Sequence, residues 1–167
     1  MRLTLKSALF AAVLLLGPSF AAAPSMAEPL VSKDDRVVLI RSEQAVDDAI
    51  FALEQAILGK GLVIDYKSHV GDMLERTGKD VGSSVKLFDR AEIFVFCSAS
   101  LSRAAMEEDI ASVGLCPYSV FAFAHPGEKD VSYVGYRRLS KADMAKDSAL
   151  RKVDALLQEI AEEAAGG

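Results

Sequence analysis

The fold is decided by the run IFVFC at residues 93–97, which is followed by the serine-rich segment SASLS at residues 98–102. The run is apolar throughout and rich in aromatic and β-branched residues, which favours a strand covered on both faces. Ser98 or Ser100 can cap a helix that extends to about Ser112, because a serine hydroxyl accepts a hydrogen bond from the amides of the first helical turn. This stretch therefore predicts a central strand that leads directly into a helix.

Strands and helices alternate on both sides of this stretch. The order predicts an α+β fold with mixed α/β layers, in which helices cover a central sheet of about five strands with a C-terminal hairpin. The core is expected to contain Phe94, Phe96, Val120 and Phe121, together with Leu53 and Ile57. The remaining predicted elements are a strand at 36–41, a helix from a Ser42 cap to Gly59, a strand at 62–67, a helix from a Ser68 cap to Thr77, a hairpin of strands 118–124 and 131–137, and a helix at 140–164.

The first 27 residues have the features of a secretion signal. Arg2 and Lys6 give a positive start, and the apolar run from Ala8 to Gly17 is shorter than the roughly 20 residues of a membrane-spanning helix. We expect cleavage after Ala27, release into the periplasm and no membrane insertion of the cleaved chain. The predicted organisation is a signal peptide at 1–27, a polar leader at 28–35, a domain at 36–138 and an amphipathic helix at 139–167 that packs on the domain.

The charge of the chain argues against two classes of partner. The formal net charge is −5, and removal of the signal would take away two positive charges and no negative ones. Nucleic acids and anionic lipids are bound through clusters of positive charge, and the sequence contains no such cluster, so neither is expected as a partner. The 51% hydrophobic content is sufficient for one buried core.

Three segments of the chain resemble a known family. They are ALEQAILGKG at residues 52–61, the strand at 91–97 and the segment from Pro117 to Tyr136. Together with the order of the elements, they are similar to the domain of unknown function family 302. The resemblance implies a compact α+β domain that is often dimeric, so a homodimer is one expected partner state. The family has no established reaction, so the resemblance assigns neither a catalytic residue nor a cofactor to this chain.

Cys97 and Cys116 are the two cysteines of the chain. In an oxidising compartment such residues pair, bind a ligand or are protected by burial. Parallel flanking strands would place them about 20 Å apart at opposite ends of the sheet, whereas antiparallel strands would bring them to one edge. We favour a disulfide, because an exported chain with two cysteines more often oxidises them.

Two alternatives use the same cysteines differently. Cys97 and Arg103 flank a helix start, where backbone amides, serine hydroxyls and the arginine can hold an anion beside a thiolate. His69, Cys97, Cys116 and His125 contain the donor atoms of a tetrahedral zinc or copper site, although their spacing matches no known metal pattern. The simpler interpretation is a cysteine beside an ordinary serine cap and two solvated histidines, with no catalytic, cofactor-binding or metal-binding residue assigned.

The sequence favours an exported accessory or binding domain over an enzyme. Its ligand or periplasmic partner is not identified by any motif, and its cofactor is unknown. Small acidic exported domains are typical of accessory proteins, so periplasmic redox or sulfur metabolism is one expected setting. A thiol enzyme that uses Cys97 and Arg103 is the first alternative, and a structural interaction module is the second.

Overall fold

The computed structural model describes residues 30–32, 35–139 and 148–166. The predicted signal peptide and its cleavage site lie outside these residues, as does the predicted start of the last helix. Among the described helices, none has the length and apolar character that crossing a membrane requires.

The described residues form strands and helices in mixed order, which confirms the predicted α+β class. The sheet has six strands rather than five, because two residues of the predicted polar leader pair with the next strand. Short 3₁₀-helices at Gly78–Val81 and Ile110–Leu115 follow the second and third α-helices. The elements are β1 (Leu30–Val31), β2 (Val37–Ser42), α1 (Val46–Gly59), β3 (Val63–Ser68), α2 (Val70–Thr77), β4 (Arg90–Cys97), α3 (Ala99–Glu108), β5 (Tyr118–Ala124), β6 (Ser132–Arg137) and α4 (Ala149–Ala164).

Every neighbouring pair of strands in the sheet is antiparallel, in the order β1-β2-β6-β5-β4-β3. The hairpin of β5 and β6 forms as predicted, but it lies in the middle of the sheet because β2 pairs with the far side of β6. The strand IFVFC is the C-terminal part of β4, which lies between β5 and the edge strand β3.

One face of the sheet is covered by α1 and α4, which also pack against each other. Leu53, Ile57, Phe94, Phe96 and Val120 are fully buried in this layer, as predicted. The apolar residues of α1 recur every three or four positions, which turns one side of the helix toward the sheet. Residues at alternate positions of β4, β5 and β6 meet this layer, and their neighbours face the opposite side.

The prediction that Phe121 belongs to the same core is wrong. Phe121 directly follows Val120 in β5, and successive side chains of a strand point to opposite faces. Phe121 is partly exposed, whereas Val120 is fully buried under the helices. The two residues therefore belong to different sides of the sheet.

The serines expected to cap helices have three different outcomes. Ser98 caps α3, because its Oγ accepts a hydrogen bond from the Leu101 amide at 3.4 Å. Ser68 is instead the last residue of β3, and the helix begins two residues later. Ser42 is the last residue of β2, and its hydroxyl donates to the Ala165 carbonyl at 3.0 Å. Ser42 therefore ties β2 to the end of α4 rather than capping α1.

Candidate functional site on the open face of the sheet

The face of the sheet opposite α1 and α4 carries a row of apolar residues. Leu39 of β2 pairs with Gly135 of β6, Gly135 pairs with Phe121 of β5, and Phe121 pairs with Ile93 of β4. Leu39, Phe121 and Ile93 are each partly exposed. We refer to these four residues as the apolar row; it crosses four strands at the level of their middle residues.

Gly135 allows the side chains of Phe121 and Leu39 to lie close together on the open face of the sheet. A Cβ at this position would lie 2.7 Å from Cζ of Phe121 and 2.9 Å from Cδ2 of Leu39. It would also lie 2.4 Å from the Val38 carbonyl oxygen, which is too close for any side chain. A glycine within a strand marks such close approaches, and here it lets the two neighbouring side chains lean toward each other.

Helix α2 forms a wall beside the apolar row. It packs on β4, where a Cβ on Gly71 would lie 2.8 Å from the Ala91 amide nitrogen, so the helix lies very close to the strand. The space between α2 and β2 is a groove with a volume of about 410 Å³. Its apolar lining residues are Val37, Leu39, Val70, Leu74, Phe88, Ala91, Ile93, Phe121, Ala122 and Phe123.

Aromatic rings close one end of the groove. Phe123 stacks on Tyr133 at 5.2 Å between ring centroids and meets Phe88 edge-on at 5.4 Å. His125 contacts both Phe123 and Tyr133, and Phe121 stacks beside Phe123 at 6.3 Å. Such offset and edge-to-face pairs hold rings in fixed orientations, so this end of the groove presents a shaped aromatic surface.

Phe88 is held at the groove by a charged loop. Lys86 donates to Asp89 at 2.7 Å, and the second carboxylate oxygen of Asp89 accepts from the Gly127 amide at 2.7 Å. These two hydrogen bonds, that from Lys86 first, hold the pKa of Asp89 below its usual value, and the same contact raises the pKa of Lys86. The loop before β4 is thereby tied to the β5–β6 turn, which places Phe88 against Phe123.

The two cysteines lie at the opposite end of β4 and are joined in a disulfide. Cys97 ends β4 and Cys116 precedes β5, and their Cα atoms are 6.2 Å apart. β4 and β5 are antiparallel, which is the arrangement that brings the two residues to one edge. The segment between them is α3 and a 3₁₀-helix, where the sequence predicted one helix to Ser112.

The structure does not bring together the residues of the thiolate and metal alternatives. Arg103 forms an ion pair with Glu107 at 3.2 Å on the solvated side of α3. His69 and His125 lie at the Arg90 end of the sheet, whereas the cysteines lie at the Cys97 end. In the part of the chain that the structure describes, no three potential metal ligands form a cluster.

A buried carboxylate that the sequence did not single out lies under α1. Glu92 is 2% exposed, and its oxygens lie 2.8 Å from Lys67 Nζ, 3.0 Å from Arg90 Nε and 3.3 Å from His69 Nδ1. Burial by itself would raise the pKa of Glu92, but the hydrogen bonds from Lys67 and Arg90 outweigh it and hold this pKa below its usual value. Since Glu92 has partners of opposite charge, the cluster accounts for its burial without a ligand.

The sequence patterns did not predict the groove. Its lining comes from three strands, a helix and a loop, and their spatial order depends on β2 pairing with β6 across the length of the domain. One signal was present: β5 carries apolar residues at both alternating sets of positions, with Val120 and Ala122 on one face and Phe121 and Phe123 on the other. Such a strand is apolar on both faces, which is typical of a sheet that is covered on both sides.

Comparison with known proteins gives a family and a fold. The family model described as domain of unknown function DUF302 matches residues 38–165, a region that includes α4. A crystal structure of an uncharacterized conserved DUF302 protein from Bacillus stearothermophilus superposes with a TM-score of 0.60 at 12% identity. The superposition covers 77% of this chain and 97% of that protein. No curated protein matches the chain. The resemblance found in the sequence is thus confirmed, and the chain belongs to the DUF302 family.

Proposed function

We propose that the protein is an exported binding domain whose groove, between α2 and β2, takes a small molecule with an apolar body. The observation that carries this proposal is the groove itself, with a volume of about 410 Å³ and apolar lining side chains from β2, α2, β4 and β5. Pockets for small molecules are concave, mainly apolar and about 300–1,000 Å³ in volume. The groove meets the conditions on lining and volume, and it is an open concavity on the face of the sheet.

The shape of the site favours a small molecule over a second copy of the chain. A second copy would need a broad, even surface, because stable interfaces bury about 800 Å² on each partner. Here α2 stands above the sheet as a wall, and the aromatic rings around Phe123 close one end. A concave site bounded in this way fits a compact molecule with an aromatic or aliphatic body. The homodimer implied by the family resemblance then becomes one outcome of the test.

Export to the periplasm is part of the proposal and is supported by the signal-like first 27 residues. The disulfide between Cys97 and Cys116 suits the same location, because disulfides persist in oxidising compartments and are rare in the cytosol. A role beside periplasmic redox or sulfur enzymes is compatible with this placement.

The proposal is tested with anilinonaphthalene sulfonate, a fluorescent probe that has an aromatic body. Titration of the folded protein is expected to give saturable binding at one site. Leu39→Asn introduces a polar group into the groove and should weaken binding of the probe about tenfold. This loss of affinity corresponds to about 1.4 kcal/mol of binding free energy. Val95→Asn is the matched control, because Val95 is partly exposed on the same face but does not line the groove.

Two results would contradict the proposal. Equal weakening by Leu39→Asn and Val95→Asn would show that the probe binds the apolar face without using the groove. A doubled mass in light scattering, together with loss of probe binding as the protein concentration rises, would show that a second copy occupies the face.

A further inference from the structure

The disulfide lies next to two buried hydroxyl groups. Ser102 of α3 and Tyr118 of β5 are 7% and 2% exposed, and the Ser102 hydroxyl donates to the Tyr118 hydroxyl at 3.3 Å. The same Ser102 oxygen lies 3.7 Å from Sγ of Cys116. The Ser102 hydroxyl proton can therefore turn from the Tyr118 oxygen to the sulfur without any movement of the backbone.

The two sulfurs of the disulfide have different surroundings. Cys116 lies against the Ser102 hydroxyl, whereas Cys97 lies between Cys116 and the edge strand β3. The cross-strand neighbour of Cys97 is Val63, which is 73% exposed. A thiolate that attacks Cys97 in line with the S–S bond approaches from the side opposite Cys116, which is this open edge. The leaving sulfur is then Cys116, the one that has a hydroxyl donor beside it.

We propose that Cys97–Cys116 is an exchangeable disulfide that a dithiol opens while the domain stays folded. A thiolate of the dithiol attacks Cys97 Sγ, the S–S bond breaks, and its electron pair leaves on Cys116 Sγ. The Ser102 hydroxyl turns from Tyr118 and donates to this new thiolate. The second thiolate of the dithiol then resolves the mixed disulfide and releases Cys97. The protein gains two electrons and one proton, which Cys97 takes up, while Cys116 remains a thiolate beside Ser102; the dithiol becomes a disulfide, and its second proton goes to the solvent.

The folded domain can tolerate this opening because the core does not depend on the disulfide. The fully buried residues of α1, α4 and the central strands lie in one apolar layer that neither cysteine belongs to. Both cysteines are partly exposed, so an attacking thiolate does not have to unfold the sheet to reach them. The stability that the disulfide adds by constraining the unfolded chain is lost on reduction, and the native contacts remain.

The test measures the ratio of reduced to oxidised protein in dithiothreitol buffers of fixed redox ratio. Ser102→Ala should lower this ratio about fivefold, because the reduced state loses a hydrogen bond to a charged sulfur, whereas the oxidised state loses only the weaker bond to the Tyr118 hydroxyl. Tyr118→Phe should raise it, because the oxidised state loses the hydrogen bond from Ser102 and the reduced state does not. Ser100→Ala is the matched control in the same helix and should leave the ratio unchanged, since Ser100 is exposed and its hydroxyl lies 3.5 Å from that of Ser98.

Circular dichroism and urea unfolding of the reduced protein complete the test. A native spectrum with one cooperative transition is expected after reduction. Reduction that occurs only in denaturing urea, or equal effects of Ser102→Ala and Ser100→Ala, would overturn the proposal. The source of the dithiol follows from rates at equal thiol concentration: faster opening by reduced thioredoxin indicates a dithiol protein, and faster opening by dithiothreitol indicates a small molecule.

Discussion

The two faces of the sheet are built from the same strands but differ in what covers them. Phe94 and Phe96 of β4 are fully buried under α1 and α4, whereas Ile93 and Val95, the residues that alternate with them, are partly exposed on the other face. In the described residues, α2 is the helix that packs on this second face, and it lies to one side over β4. Alternation along a strand thus lets one sequence supply both a stable core and an apolar groove.

The largest expected effect is on the covered face. Phe96→Ala should lower the free energy of unfolding by about 3–5 kcal/mol, because it removes a fully buried ring and leaves a cavity. Val95→Ala, one residue earlier and on the open face, should lower it by about 1 kcal/mol or less. Urea denaturation measures both variants. Similar losses would show that the two faces contribute equally to the stability of the fold and would contradict the assignment of the core to the covered face.

A smaller effect is expected at Glu92, a buried carboxylate of the covered face. Glu92→Gln removes the charge that Lys67 and Arg90 bind and should cost about 2 kcal/mol at neutral pH. Glu54→Gln is the matched control: Glu54 also contacts Lys67, at 3.5 Å, but it is more exposed, so little loss is expected.

The effect of Glu92→Gln should depend on pH in a direction that follows from the lowered pKa of Glu92. A group whose pKa is lowered by folding adds stability above its unfolded pKa, which for glutamate is about 4.3. That stability is lost as the pH falls through the folded value. Wild type and variant should therefore converge in stability below about pH 4. A difference that stays constant from neutral to acidic pH would show that the charge of Glu92 contributes nothing.

The smallest effect on stability is expected in the groove. Leu39→Asn should lower the free energy of unfolding by only about 1 kcal/mol, because Leu39 is already partly exposed in the folded protein. The same variant is the one expected to weaken binding of the fluorescent probe. A loss above about 3 kcal/mol in thermal or urea unfolding would place Leu39 in the stabilising core instead.

The elements of the fold could be predicted from local patterns, and their arrangement could not. The hairpin strand YSVFAFA at 118–124 was predicted with the bounds that the structure has, because its apolar residues and flanking turns are local signals. The pairing of β2 with β6 joins segments far apart in the chain, and no local pattern reports it. Leu30–Val31 was likewise assigned to a leader, because two residues are too few to show a strand period.

The candidate sites show the same limit. The sequence identified Cys97 and Cys116 as a pair, but the distance between them depended on whether the flanking strands run parallel or antiparallel. Phe121 was recognised as an apolar strand residue and assigned to the wrong face, although the period of two already separates it from Val120. The groove is formed by three strands, a helix and a loop and also depends on Gly135 of β6, and only the tertiary structure brings these segments together.

The most direct test of the proposed binding function is an NMR titration of the ¹⁵N-labelled protein with anilinonaphthalene sulfonate. Saturable shifts are expected for the amide signals of Leu39, Ile93 and Phe121, and the amide signals of Phe94 and Val120 should change little. The line widths should remain those of the unliganded protein. Shifts confined to residues outside the groove, or no shifts at saturating probe, would contradict the assignment of the open face as the binding site.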